Sequence, residues 1–285
     1  MHAVLFACAM ISILTTLGII WVLCSESVTF FAKVSPVSFF TGTSWEPHSA
    51  PPRFGVLPLI SGTLLVAGGA LLVGVPVGLG TALFLSEYAP KSLRAIGKPI
   101  LEILAGIPTV VYGYFALTFI TPDVIQRIFP NADAFNAASA AIVVGIMIIP
   151  TIASLCDDAF RAVPRRMREG AYALAATRLE VSLRVVLPSA LSGVLAACLL
   201  GLARAIGETM AVAMAAGVRP KLTLNPLESI QTMTSFMVTV QSGEAAQGTT
   251  AYRSLFAVGL TLFIITLAIN LISQRVLRRF REVYE

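Results

Sequence analysis

Charged residues are scarce in this chain: 12% of its 285 residues are Asp, Glu, Lys or Arg, while 56% are hydrophobic. An ordinary soluble domain carries about 25% charged residues. So few charges cannot cover the surface of a water-soluble fold of this length, which excludes the soluble classes. Histidine is also rare, with only His2 and His48. No metal-spaced or triad-like cluster arises from them, and nothing in the chain suggests an enzyme. The four cysteines (Cys8, Cys24, Cys156 and Cys198) lie in or at the ends of apolar runs without a CxxC pair, so neither a disulfide framework nor a zinc site is indicated. A phosphate-binding loop is missing too. Gly97-Lys98 is followed by Pro99, and Ser92 stands where GxxxxGK[ST] needs its first glycine. Gly74, Gly78 and Gly80 sit inside an apolar run, which excludes a dinucleotide site. No cofactor is expected, and any uphill work must draw its energy from a partner. The net charge of +5 is small, and nearly all the basic residues sit in loops between apolar runs, a pattern of membrane topology rather than of nucleic-acid binding.

What the chain does have is apolar length. Six runs, roughly 3–24, 58–86, 100–121, 138–160, 189–217 and 253–274, each approach the ~20 residues that cross ~30 Å of hydrocarbon. The first run lacks a basic leader and a small-x-small cleavage site, and reads as a retained helix. The longest polar gaps, 25–57 and 218–252, are expected to have no core of their own. Placing both termini in the cytoplasm puts thirteen basic residues inside: Lys91, Arg94, Lys98, Arg161, Arg165, Arg166, Arg168, Arg178, Arg184, Arg275, Arg278, Arg279 and Arg281. Six fall outside: Lys33, Arg53, Arg127, Arg219, Lys221 and Arg253. The positive-inside rule favours that orientation.

The expected fold is therefore an all-α membrane protein of six transmembrane helices. Residues 1–57 supply a first helix and an external loop, 58–275 the core with a cytoplasmic loop at about 161–188, and 276–285 a basic cytoplasmic tail. Glycine and proline interrupt several spans, as at Gly74 and Pro76, Gly106-Ile107-Pro108, and Gly145 and Pro150. Small residues let membrane helices approach closely, and prolines are tolerated where neighbours satisfy the freed backbone. Close packing and hinging both fit these positions.

The segment between the fourth and fifth runs is the most informative. It reads Glu169-Gly170-Ala171-Tyr172-Ala173-Leu174-Ala175, then nine residues, then Val185-Val186-Leu187-Pro188. The spacing resembles the cytoplasmic EAA loop of binding-protein-dependent ABC permeases, whose pattern is EAA, three residues, Gly, nine residues, Ile, any residue, Leu-Pro. Gly170, Ala175 and Val185 depart from it. Ala175 stands where the family's glycine allows a tight turn, so Ala175 or Thr177 is expected to adopt a less favourable backbone conformation. Two short helices joined at an angle would make a rigid knob, ringed by the positive charge of Arg161 to Arg168, with Pro188 starting the fifth span. A basic surface helix is the plainer alternative.

Other stretches narrow the resemblance. Phe39-Phe40-Thr41-Gly42-Thr43-Ser44-Trp45-Glu46-Pro47, Phe54-Gly55-Val56-Leu57-Pro58, Gly106-Ile107-Pro108-Thr109-Val110-Val111-Tyr112-Gly113 and Arg204-Ala205-Ile206-Gly207-Glu208-Thr209 are similar to PstC-type permeases of phosphate-specific ABC importers over nearly the whole chain. The resemblance implies a type I, MetI-like permease bundle. It implies a second permease subunit (PstA type), two cytoplasmic ATP-binding subunits (PstB type) that hydrolyse ATP, and an external phosphate-binding protein (PstS type). Coupling to the ATPases would run through Glu169, Gly170, Ala171, Ala175, Leu187 and Pro188. The substrate pathway would involve Arg204, Glu208 and Thr209.

Arg204 and Glu208 are four residues apart, expected on one face of the fifth span. Ionisable residues within a span cost about 2.5 to 3.5 kcal/mol each to insert and usually mark a pathway. A self-neutralising structural ion pair is one reading. An anion contact, with the guanidinium fork matching phosphate oxygens and Glu208 limiting trapping, is the other. Alternatives for the whole chain are a permease for another oxyanion, such as molybdate or sulfate, or a membrane assembly or signalling protein that transports nothing.

Overall fold

The structure is a computed structural model that describes residues 1–280. Helix α1 (His2–Phe31) leads to a short α2 (Pro36–Thr41) and a hairpin of β1 (Trp45–Glu46) and β2 (Arg53–Phe54). α3 (Leu57–Leu83) continues as a wider-wound turn, Phe84–Tyr88. α4 (Lys91–Gly106) and α5 (Thr109–Phe115) follow, α5 running on as a wide coil, Ala116–Ile125, into α6 (Gln126–Ile128). α7 (Ala137–Ala162) precedes α8 (Arg165–Ala173), α9 (Arg178–Val181) and α10 (Leu187–Ser189). α11 (Leu191–Gly207), α12 (Met210–Ala215), α13 (Met233–Thr239) and α14 (Thr250–Phe280) complete the chain.

Among the described residues, four helices are long and apolar enough to cross a membrane: Val4–Phe31, Leu57–Tyr88, Ala137–Ala162 and Thr250–Arg275. Two bent pairs raise the number to six when each is taken as one span. Lys91–Gly106 meets Thr109–Ile128 at 86°, and Arg178–Ser189 meets Leu191–Gly207 at 73°. Both bends correct the sequence reading. The run 100–121 straddles a break, because Pro108 pushes Ile107 out of the helical region to φ −64°, ψ 130°. The apolar stretch of that span is the 109–128 segment, and α4 is an amphipathic arm before it. The run 189–217 also starts and ends elsewhere. Pro188 lies before the bend at Ala190, and α11 stops at Gly207 because Glu208 is extended (φ −67°, ψ 131°).

The centre of the bundle is the α3–α7 seam. A Cβ on Gly74 would lie 2.6 Å from Ile148 Cγ1, and one on Gly145 would lie 2.8 Å from Val73 Cβ. These glycines are therefore packing residues that let the two helices touch. Around the seam, Val144, Ile148, Ile152 and Phe160 are fully buried.

The two polar gaps also differ from expectation. Together they build a second core, in which Phe30, Phe39, Trp45 and Phe54 pack with Met233, Phe236 and Val240. Trp45 meets Phe236 edge-on with ring centroids 4.9 Å apart, and touches Phe39 and Phe54 similarly. Aromatic rings supply enough apolar surface for a small core built from two polar-looking segments. This core lies at one end of α7, whose Asn136 cap is bound to Ala215, while α8 lies at the other end. The tail expected over 276–285 continues α14 as far as Phe280, and 281–285 lie outside the described residues.

Candidate functional site

Two places in the fold hold the sequence candidates. The first is the knob after α7. α8 ends in a Schellman turn: the Ala176 N–H donates to Ala171 O (3.2 Å) and the Ala175 N–H to Tyr172 O (2.9 Å). Ala175 occupies its left-handed position at φ 60°, as the only non-glycine residue with positive φ among the described residues. α9 begins two residues later with a capping box, in which Thr177 accepts from Glu180 N while Glu180 accepts from Thr177 N (2.9 Å). These Thr177 hydrogen bonds favour the charged carboxylate and hold the Glu180 carboxyl below its usual range. Two terminus motifs within a few residues fix the angle between α8 and α9.

The knob is apolar on its outside. Leu174 is 85% exposed, and Leu179, Tyr172 and Leu183 are exposed beside it. Glu169 and Gly170 are exposed too, and a Cβ on Gly170 would meet nothing within 4 Å. Ala171, Ala176 and Leu187 face inward against the main core, whereas Pro188 is exposed. An exposed apolar surface of this kind suits contact with a protein or with the membrane. The expected ring of positive charge is smaller than the sequence suggests. Arg161 pairs with Asp157 (3.1 Å) and Arg168 with Glu87 (3.0 Å), which leaves Arg165 and Arg166 exposed.

The second place is the end of α11. Arg204 is half-buried and donates from Nη1 to Thr151 Oγ1 of α7 at 3.0 Å. No ion pair to Arg204 occurs among the described residues. Glu208 is not on the same helical face, because the helix has ended at Gly207. Its buried carboxylate turns forward instead, and Oε1 accepts from Ala211 N at the start of α12 (3.1 Å). The self-neutralising pair is corrected on that ground: the chain unwinds between the two residues and sends each to a different partner. The unwound Glu208 carbonyl accepts from Thr234 Oγ1 of α13 (2.8 Å). Thr209 lines a cavity of about 490 Å³ together with Thr234, Met237, Gln241, Ser242 and Leu262.

A guanidinium has five N–H donors, and Thr151 accepts one of them. Arg204 is thus a cation inside the bundle with donors to spare and no carboxylate upon it, near the negative end of its helix.

Residues 74–282 match the family described as the binding-protein-dependent transport system inner membrane component. The chain belongs to this family. The permease is 35% identical over 275 residues to a probable ABC transporter permease protein, YqgH, of Bacillus subtilis, covering 94% of this chain and 88% of the relative. It is 36% identical over 266 residues to the phosphate transport system permease protein PstC of Xylella fastidiosa (87% and 80% covered). Against PstC 1 of Mycobacterium tuberculosis it is 37% identical over 283 residues (87% and 83%). A solved bacterial alginate ABC transporter, in complex with an alginate pentasaccharide-bound periplasmic protein, superposes with a TM-score of 0.70 at 17% identity, covering 99% of this chain and 96% of that one. The inward-facing MetNI methionine ABC transporter gives 0.59 at 20% identity, with 80% and 95% covered. These two likenesses show the fold, the expected all-α bundle of the MetI-like kind.

Sequence reasoning missed the residues that hold the site. Thr151 and Thr234 lie in largely apolar stretches, and hydroxyls there commonly bond their own helix. The signal available for Thr151 was Pro150 beside it, whose missing N–H interrupts the α7 ladder, while Thr232 two residues before Thr234 reads only as a helix N-cap. Glu87 and Arg168 are 81 positions apart, and neither predicts the other.

Proposed function

We propose that the permease is a channel subunit of an ATP-driven importer of inorganic phosphate, with Arg204, Glu208 and Thr209 on the substrate pathway. The observation that carries this reading is the unneutralised Arg204 at the point where α11 unwinds. An arginine fork suits the oxygens of phosphate, and a single hydroxyl partner leaves it open to a passing anion. Relatives with phosphate transport in their names, matched over most of their length, supply the substrate. Glu208 keeps negative charge near the path, which opposes overly tight anion binding and favours release.

The knob of α8 and α9 is the docking element for a cytoplasmic ATPase, which does the hydrolysis that this chain does not. Its exposed Leu174, Leu179 and Tyr172 form the contact, with Glu169, Gly170 and Ala171 at its start and Leu187 and Pro188 carrying motion into α11. A second, related permease of the PstA type completes the path, a pair of PstB-type subunits bind ATP, and an external PstS-type protein delivers phosphate. Both termini lie on the cytoplasmic side, and the aromatic core around Trp45 lies outside.

The test is uptake by the assembled importer in a strain without other phosphate importers. Labelled phosphate should accumulate, and excess molybdate or sulfate should leave that accumulation unchanged. Competition by either oxyanion with equal potency, or uptake of one of them in place of phosphate, overturns the substrate assignment.

A further inference from the structure

α8 buries none of its residues. A helix so placed has little packing to hold it against the membrane bundle, and its covalent link to α7 is the short extended connection through Val163 and Pro164. One side chain makes up for this. Arg168, 16% exposed, donates from Nη1 to Val163 O (2.6 Å) and from Nη2 to Phe160 O (2.6 Å) and Glu87 Oε1 (3.0 Å). Phe160 belongs to the last turn of α7, where carbonyls lack helical partners. Glu87, 9% exposed, belongs to the wide turn that ends α3 and also accepts from Ser86 Oγ. A single guanidinium thus joins the knob, the end of α7 and the end of α3.

The surrounding ion pairs make those ends one block. Arg94 of α4 donates to Leu85 O and Ser86 O in the same turn as Glu87. Lys98 of α4 reaches Asp158 (3.1 Å) and Asp157 (3.5 Å) of α7, and Asp157 also holds Arg161. Arg168 differs from these because it alone among them reaches out from the knob. α9 and the turn after it are anchored in the main core through Val181 and Val186, whereas α8 has only Ala171 against that core, so displacement of α8 becomes displacement of the spans only through stiff connections. A multidentate, charge-assisted clasp is stiffer than a hinge at two residues.

We propose that Arg168 is a positioning residue for energy coupling: through Glu87 and the α7 carbonyls it makes the knob move α3 and α7 as one body. This rests on the reading of the knob as the ATPase-docking element. Arg168 touches no substrate and is separate from Arg204.

The test uses the complete importer in vesicles, with its binding protein and phosphate, and reads phosphate taken up per ATP hydrolysed. Arg168→Gln alone strands a buried carboxylate and can lower protein level, so the decisive variant is Arg168→Gln with Glu87→Gln, which removes both charges. It should assemble, keep basal ATP hydrolysis and lose at least ten-fold in phosphate per ATP. Glu87→Gln alone, which preserves an acceptor for Arg168, should stay within two-fold of the unaltered permease. An unchanged ratio in the double variant, even with less protein, reduces Arg168 to a structural role and overturns the proposal. If the double variant does not assemble, Glu87→Cys with Arg168→Cys, in a background lacking the four native cysteines, is joined by a short bis-thiol linker. Joining should restore phosphate per ATP, and a ratio that stays low overturns the proposal. Ala171→Arg runs in parallel. If it uncouples while the Arg168 and Glu87 variants do not, only the clasp is wrong; if none of them alters assembly or coupling, the docking reading falls with it.

Discussion

Ala175 is the position where the backbone carries the clearest strain, and replacing it with glycine gives a quantitative test of the knob. The left-handed conformation costs an L-residue roughly 1–2 kcal/mol. Glycine removes that cost but adds roughly 0.5–1 kcal/mol of chain entropy to the opened state. Ala175→Gly should therefore stabilise the closed turn by about 0.5–1 kcal/mol, which slows local opening about two- to five-fold. Valine has a branched Cβ and is a true outlier at positive φ, so Ala175→Val should destabilise the turn by at least about 1 kcal/mol and speed opening about five-fold or more. The reporters are the amides of Ala175 and Ala176, which donate to Tyr172 and Ala171 across the turn. Hydrogen exchange of the detergent-solubilised permease, followed in peptides covering 171–180, reads them directly. Faster exchange in Ala175→Gly, or no change in Ala175→Val, would refute the assignment of strain to this residue.

Three further outcomes are expected. Gly74→Ala should lower the permease's thermal stability by about 1–3 kcal/mol, because the new methyl overlaps Ile148 and the Gly145 carbonyl; an unchanged melting temperature would show that the α3–α7 seam has slack. Acid should open the capping box: Glu180 has a lowered folded pKa, so its stabilisation is complete above the ordinary glutamate value of about 4.3 and is lost as pH falls through the lower folded value. Exchange protection at Thr177 should fall across that window, and Glu180→Gln should flatten the dependence. For topology, in a background without the native cysteines, Ser242→Cys should react with an impermeant thiol reagent in intact cells and Arg184→Cys, exposed and on the expected cytoplasmic side, should not.

The long spans were legible because α3, α7 and α14 are continuous apolar helices, and composition alone reveals those. The knob was legible through spacing, since the 169–188 pattern reflects a fixed distance between two helix ends, and the departure at Ala175 pointed to the strained turn. The broken spans were not. Hydropathy averages over residues and cannot see that Pro108 reorients Ile107, or that the backbone leaves the helix at Glu208 within an apolar run. The same blindness produced the Arg204–Glu208 pair, which a continuous helix would place on one face. The aromatic core was hidden for another reason: Phe30, Trp45 and Phe236 are scattered over two polar segments, and only the tertiary fold brings their rings together.

Arg204 is proposed as an open anion contact and not a structural cation. That proposal is tested most directly by measuring phosphate uptake and membrane protein level together in Arg204→Gln. Glutamine can still bond Thr151, so the bundle keeps its contact while the pathway loses its charge. The expected result is a near-normal amount of permease with phosphate uptake reduced at least a hundred-fold. Uptake that falls only in proportion to protein level, or that persists at normal protein level, would contradict the account.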